Sequence, residues 1–131
     1  MPGYYARFEP DRHGGFVVTF PGLNHGATQG ETLEEALDMA EDLLGSIVGE
    51  LMKRGEDLPR AAKHRGKNYR LILLPALQSA KAELYSMFRA GIPKTNVERL
   101  FDLDHASRFD QIEAAFRAIG KKIEVRISDA A

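Results

Sequence analysis

The sequence predicts an α+β protein in which an N-terminal β-β-β-α-β module, residues 1–75, precedes a small helical module, residues 76–131, that ends in a strand. Three observations predict this class. Apolar residues near the N-terminus recur at the period of a strand, one long segment has the period of a helix, and the period changes from strand to helix after Pro75. A chain of 131 residues can form one ordinary domain or two small modules that support each other.

The chain is predicted to begin with a β-hairpin. In residues 4–8 and again in residues 16–20, aromatic and aliphatic side chains alternate with other residues, which is the period of half-buried strands. Residues 10–15 supply the loop between them. After a loop that contains proline and glycine, residues 27–29 are expected to form a short third strand.

One long helix is predicted to begin just after Thr32. Thr32 and Glu35 have the spacing of a capping box, and Gly55 suits the C-terminal cap. The apolar positions recur at helical spacing between these two ends. They are Leu33, Ala36, Leu37, Ala40, Leu44, Ile47 and Leu51. A fourth strand follows, in which Tyr69, Leu71 and Leu73 alternate until Pro75.

The second module is predicted to contain three helices, over residues 77–91, 93–101 and 107–120. Proline suits the first turn of a helix and glycine suits its end, and Pro93, Gly91 and Gly120 stand at such positions. The first helix carries Leu77, Ala80, Leu84 and Phe88 on one stripe, and the third carries Phe109, Ile112, Phe116 and Ile119 on one face.

A closing strand is predicted from the alternation of Ile123, Val125 and Ile127. A strand at the end of a helical module has no obvious partner within that module. We therefore expect it to pair with residues 71–73 or with a second chain. Homodimerisation is the simpler of these two expectations.

Composition excludes several classes of site and location. The chain has no cysteine, so it has no disulfides, no thiolate zinc site and no cysteine nucleophile, which is typical of a reducing compartment. The apolar stretch 71–77 is too short to span a bilayer, and the N-terminus lacks a secretion signal. The histidines lack metal-ligand spacing, and no phosphate-loop spacing occurs. We expect a cytoplasmic protein without a metal, a cofactor or a membrane partner.

Charge divides unevenly along the chain. Residues 1–59 hold 4 Lys/Arg against 11 Asp/Glu, a net −7, and residues 60–131 hold 14 against 8, a net +6. The imbalance indicates either different partners for the two ends or attraction between them. When the division is placed at Pro75, the counts become 9 against 11 and 9 against 8, so most of the basic excess lies in the connector.

Residues 4–59 share irregular loop positions, as well as apolar periodicity, with one known family. The positions concerned are Tyr5, Phe8, Glu9, Gly14, Gly15, Phe16, Val17, Val18, Phe20, Pro21, Gly22, Leu23, Gly26, Thr28, Gly30, Thr32, Glu34, Glu35, Ala36, Gly55 and Pro59. Through them the chain resembles the HicB family of antitoxins.

The second module resembles the DNA-binding half of some members of that family. The resemblance lies at residues 81–85, 91–92, 97–100, 105–108, 110–115 and 120–122. Only Ile92 to Asn96 separate Gly91 from Val97, where a full helix-turn-helix has another helix. The second module is therefore similar to a shortened helix-turn-helix.

The family resemblance implies a partial RNase H-like fold for the first module. It also implies a protein that binds and silences a small HicA-like toxin encoded beside it. Such a toxin is an RNA-cleaving enzyme with a double-stranded-RNA-binding-like fold. The resemblance further implies repression of the protein's own operon through DNA binding, with no catalytic residue in this chain.

Five carboxylates on the long helix are candidates for toxin binding. They fall within about a third of the helix circumference at 100° per residue, and they are Glu34, Glu35, Asp38, Glu41 and Asp42. Such a stripe can meet a basic toxin surface and compete with RNA for it. A solvated face, whose early carboxylates favour the helix dipole, is the alternative interpretation.

Four residues around the short second helix are candidates for DNA binding, namely Lys94, Thr95, Asn96 and Arg99. Asparagine and arginine read base edges, and lysine and threonine more often hold phosphate. A solvated helix face is the alternative. Residues 94–110 carry 3 Lys/Arg against 4 Asp/Glu, which is a weak electrostatic footprint for DNA. The basic segment 60–70 is a second candidate for phosphate contact.

Two further functions stay open from the sequence. A non-catalytic adaptor or ligand-binding module would use its C-terminal region only to dimerise. A degenerate or active RNase H-like nuclease would need carboxylates that converge on magnesium, and the first strand offers only Glu9 and Asp11 at its end.

Overall fold

The computed structural model describes residues 3–23, 26–61, 63–64, 66–89, 102–103, 108–127 and 129. The predicted α+β class is confirmed. The strands within these residues are β1 (Gly3–Pro10), β2 (Phe16–Thr19), β3 (Thr28–Gly30) and β4 (Tyr69–Leu73). The helices are α1 (Leu33–Lys53), α2 (Ala76–Arg89) and α3 (Phe109–Ala118). The short helix predicted over 93–101 lies outside the described residues.

The four strands form one antiparallel sheet in the order β3-β2-β1-β4. The predicted hairpin is confirmed, since β1 pairs with β2 in a register that places Phe8 opposite Val18. On its other side β1 pairs with β4, and Tyr4 lies opposite Ile72. Because side chains alternate along a strand, this register puts Tyr4, Phe8, Val18 and Ile72 on the same face.

The buried face of β4 differs from the alternation seen in the sequence. Tyr69, Leu71 and Leu73 suggested the strand, but Leu71 and Leu73 are about half exposed, whereas Ile72 and Leu74 are buried. The register with β1 decides this, because the residue opposite the buried Tyr4 must face the same side.

Helix α1 covers the sheet and has both of its predicted ends. The Thr32 hydroxyl accepts a hydrogen bond from the Glu35 amide at 3.1 Å. At the other end, Gly55 has a φ of +70°, and its amide and that of Glu56 donate to the carbonyls of Met52 and Leu51. This is the pattern of a Schellman motif, in which glycine accepts the left-handed conformation at little cost.

Two apolar clusters organise the chain. The main cluster lies between the sheet and α1, and Ala82 and Tyr85 of α2 belong to it together with Leu103. The second cluster consists of Leu84, Ile112 and Phe116, around which partly buried side chains of α2 and α3 pack. Helix α2 thus gives one face to each cluster and joins the two predicted modules.

The predicted faces of α2 and α3 agree with the second cluster except at one residue. Leu77, Ala80, Leu84 and Phe88 of α2 belong to it, as do Ile112, Phe116 and Ile119 of α3. Phe109 is instead 40% exposed. It is the first residue of α3, one turn before Ile112, where the helix begins.

The closing segment, residues 123–127, does not form a strand in this chain. The expected pairing with residues 71–73 is therefore wrong. A strand needs a ladder partner, and β4 makes its ladder with β1 instead. Val125 and Ile127 are 75% and 92% exposed. Pairing with a second chain stays a prediction.

Candidate partner-binding surface

The acidic stripe of α1 lies on the surface. We use this name for Glu34, Glu35, Asp38, Glu41 and Asp42, all of which are exposed. The residues that α1 buries include Ala40, Leu44 and Ile47, on the opposite side of the helix. The apolar periodicity that predicted the helix therefore also orients the stripe toward solvent.

None of the stripe carboxylates makes an ion pair with another of the described residues. Glu50, on the same helix, pairs with Arg54 at 3.1 Å. Adjacent uncompensated carboxylates repel one another, and a cationic partner relieves that repulsion. The stripe can therefore attract a basic protein surface. Glu34 and Glu35 also stand in the first turn of α1, where they favour the helix dipole, so both interpretations of the stripe hold for these two residues.

A groove of about 480 Å³ continues the surface at the C-terminal end of the stripe. Glu41 and Asp42 line one side of it, Gln78 of α2 lines another, and Asp102 and Leu103 contribute from the later part of the chain. A protruding basic side chain can enter a concave surface of this charge.

Met39 is an exposed apolar residue beside the stripe, which sequence reasoning missed. It is 38% exposed and stands one turn after Glu35 and three residues before Asp42. Methionine is enriched at protein interfaces because its flexible side chain adapts to a partner. The signal available in the sequence was a large apolar residue outside the periodic positions of the helix.

The candidate DNA-binding residues Lys94, Thr95, Asn96 and Arg99 lie outside the described residues. Part of the second candidate, the connector between α1 and β4, is described. Its Arg60, Lys63, Lys67 and Arg70 are exposed.

The connector is held against the sheet by aromatic contacts. The His64 ring stacks on Tyr69 with ring centroids 4.9 Å apart, and it meets Tyr5 edge to face at 6.4 Å. The sequence had suggested only an ordinary loop histidine here. The contacts arise because Tyr5 and Tyr69 project from neighbouring strands on the sheet face away from α1.

Two tyrosines hold the segment that follows α1. Tyr4 donates to the Pro59 carbonyl at 2.6 Å, and Tyr85 of α2 donates to the Glu56 carbonyl at 2.7 Å. Burial raises the pKa of both phenols. For Tyr85, Arg89 lowers the pKa, and Asp57 and Glu56 raise it.

Lys81 is fully buried on α2, a position that sequence reasoning did not single out. Its Nζ donates to the Asp102 carbonyl at 2.7 Å, which fixes the chain beside the groove. The spacing held a signal for this burial, since Lys81 lies four residues after Leu77 and three before Leu84.

The residues considered for nuclease chemistry are placed at the end of β1. The Glu9 carboxylate pairs with Arg7 of the same strand. Within the described part of the chain, no group of three His, Asp or Glu side chains comes together in an arrangement that could hold a metal ion. No helix there is both long and apolar enough to cross a membrane.

The chain matches a family model over residues 3–83. The family is described as the HicB-like antitoxin of bacterial toxin-antitoxin systems. Two curated relatives match nearly the whole chain. Antitoxin HicB of Escherichia coli strain K12 is 29% identical, with 93% of this chain and 96% of the relative covered. Antitoxin HicB 1 of Photorhabdus laumondii is 31% identical, with 95% and 86% covered.

Two solved structures share the fold. The Burkholderia pseudomallei antitoxin HicB superposes with a TM-score of 0.51 at 16% identity, over 93% of this chain and 89% of that one. A chain from a toxin-antitoxin complex of Streptococcus pneumoniae gives a TM-score of 0.50 at 20% identity, over 92% and 99%. These likenesses establish a common fold.

Proposed function

Because this chain belongs to the family of HicB-like antitoxins of bacterial toxin-antitoxin systems, we propose that it binds and neutralises a small mRNA-cleaving toxin encoded beside it. The toxin is of the HicA-like type that the family resemblance implies. The chain acts as a binding protein and not as an enzyme. It works in the cytoplasm, where its lack of cysteine causes no loss of stability.

The observation that carries this proposal is the acidic stripe of α1. Its five exposed carboxylates lie within the part of the chain that matches the family model, and none is neutralised by another described residue. An enzyme that cleaves RNA needs a basic surface to attract phosphate. Carboxylates placed against that surface exclude RNA and speed association with the toxin through electrostatic attraction.

A likeness in fold also supports the proposal. One neighbouring structure comes from a complex described as a toxin-antitoxin complex. The shared architecture places a helix on an antiparallel sheet, so the stripe stands on a rigid element. Preformed rigid surfaces lose little entropy on binding, which favours tight complexes.

Co-expression with the adjacent gene product tests the proposal. That product alone should arrest growth, and co-expression with this chain should restore growth and give a complex that co-purifies. A matched control is the chain with Asp38→Arg and Glu41→Arg, which should restore growth less well. The proposal is wrong if the neighbour is toxic and this chain neither binds it nor restores growth.

We further propose that the chain represses its own operon by binding DNA as a homodimer. The residues that we assign to this contact are Lys94, Thr95, Asn96 and Arg99, on the basis of their side-chain chemistry. A double variant, Asn96→Ala with Arg99→Ala, should lose selective binding to the upstream DNA in a gel-shift assay and keep toxin binding. An unchanged shift would move the contact to the exposed basic residues of the connector, including Lys63 and Lys67.

A further inference from the structure

The closing segment has the pattern of a strand and no ladder partner among the described residues. Ile123 packs against the second cluster, while Val125 and Ile127 remain 75% and 92% exposed. Glu124 and Arg126 stand between these apolar residues, are exposed, and make no ion pair within the described part of the chain. An extended segment with free backbone groups and one apolar face is a template for another strand.

We propose that the closing segment pairs antiparallel with the same segment of a second copy, about a twofold axis at Val125. In this register Glu124 of each copy faces Arg126 of the other, and Ile123 of each faces Ile127 of the other. The inference supplies the contact for the homodimer proposed above and rests on that dimer. It involves neither the toxin nor DNA.

The charges select this register over the others. An antiparallel register centred on Glu124 places two carboxylates opposite each other, and one centred on Arg126 does the same with two guanidinium groups. A parallel in-register pair also opposes like charges, which destabilises a cross-strand pair. A shift by one residue places apolar side chains opposite charged ones and turns half of them away from the core. The register centred on Val125 alone matches both charge and polarity.

The same register also accounts for the exposed Ile127. Ile123 already touches the second cluster, which is built on Leu84, Ile112 and Phe116. Since Ile127 of the second copy lies opposite Ile123, it is brought beside that cluster, and the exchange is reciprocal. The interface is therefore isologous, as expected for a twofold dimer. It extends an apolar core that the single chain leaves partly open.

Charge reversal gives the first arm of the test. The Glu124→Arg chain and the Arg126→Glu chain should each dimerise about tenfold more weakly than the unchanged protein in sedimentation equilibrium, because both cross-strand pairs become repulsive. Mixing the two variants should restore a heterodimer of normal affinity, since each Arg then faces a Glu. Pairing within one chain predicts no such rescue.

Cysteine cross-linking gives the second arm, because the natural chain has no cysteine. Directly opposite residues in an antiparallel pair have Cβ atoms about 4.5–5.5 Å apart, close to the spacing of a disulfide. Val125→Cys should therefore form a covalent dimer on mild oxidation. Ile127→Cys is the matched control, since its two copies lie about 13 Å apart along the strands although the side chain is more exposed.

Rescue by mixing together with selective cross-linking at Val125 supports the register. A dimer that cross-links equally through Ile127, or that ignores both charge reversals, overturns this inference and leaves the proposed homodimer intact. A protein that sediments as a monomer at all concentrations overturns both.

Discussion

The phenol of Tyr85 donates a hydrogen bond of 2.7 Å to the carbonyl oxygen of Glu56 and so ties α2 to the end of α1. The ring is 5% exposed and belongs to the main apolar cluster. The second module begins inside the core of the first because of this contact and that of Ala82. A boundary at Pro75 separates the two patterns in the sequence but cuts through a shared helix.

Removing the Tyr85 hydroxyl should weaken this connection. Tyr85→Phe keeps the ring and leaves the Glu56 carbonyl without its donor, so the free energy of unfolding should fall by about 1 kcal/mol. Tyr5→Phe is the control, because the Tyr5 contact with His64 is made by its ring. Urea denaturation measures both. Equal stability of the two variants would mean that the Tyr85 hydrogen bond contributes nothing.

The two buried phenols predict a loss of stability at alkaline pH. Burial raises the pKa of Tyr4 and Tyr85 above the ordinary 10.0, so the folded state holds these protons more tightly than the unfolded state. The resulting stability is fully present below about pH 10 and is lost as the pH rises through the folded pKa values. The Tyr4→Phe, Tyr85→Phe double variant should lose less stability between about pH 9 and pH 11 than the unchanged chain. Identical slopes would contradict this.

Gly30 marks a close approach between β3 and α1. A Cβ atom there would lie 2.4 Å from the Ala36 amide nitrogen, which is backbone and cannot move aside easily. Gly30→Ala should therefore lower the free energy of unfolding by about 1–3 kcal/mol. Gly22→Ala is the control, since nothing lies within 4 Å of its added Cβ. A Gly30→Ala variant as stable as the control would refute the close approach.

The acidic stripe should contribute to toxin affinity through charge. Asp38→Asn with Glu41→Gln should raise the Kd for the toxin about fivefold to tenfold in calorimetry, with less effect at high salt. The control, Glu56→Gln with Asp129→Asn, changes the net charge equally at two exposed positions away from the stripe. Equal losses in both variants would assign the effect to net charge and remove the stripe from the interface.

Local patterns predicted the regular elements well. The alternation in the first hairpin, the Thr32 cap and the Gly55 stop each depend on a few neighbouring residues, so they can be read without knowing the fold. The helical spacing of α1 also predicted that its acidic residues face solvent. What these carboxylates bind is a property of a partner, and it stays a prediction.

Tertiary choices could not be predicted from local patterns. Leu71 and Leu73 are as apolar as Ile72, and only the register with β1 decides which of them is buried. Lys81 looks like a surface residue until the segment around Asp102 provides an acceptor for its ammonium group. The closing segment has the alternation of a strand, but alternation does not supply a partner for its backbone.

The central claim is that this chain silences an RNA-cleaving toxin by covering it. The most direct test titrates the purified chain against the purified product of the adjacent gene and measures cleavage of a defined mRNA. The account predicts that cleavage stops at a fixed stoichiometric ratio, and that the stripe variant Asp38→Arg, Glu41→Arg needs a higher concentration to stop it. Undiminished cleavage in the presence of a large excess of the folded chain would contradict the account.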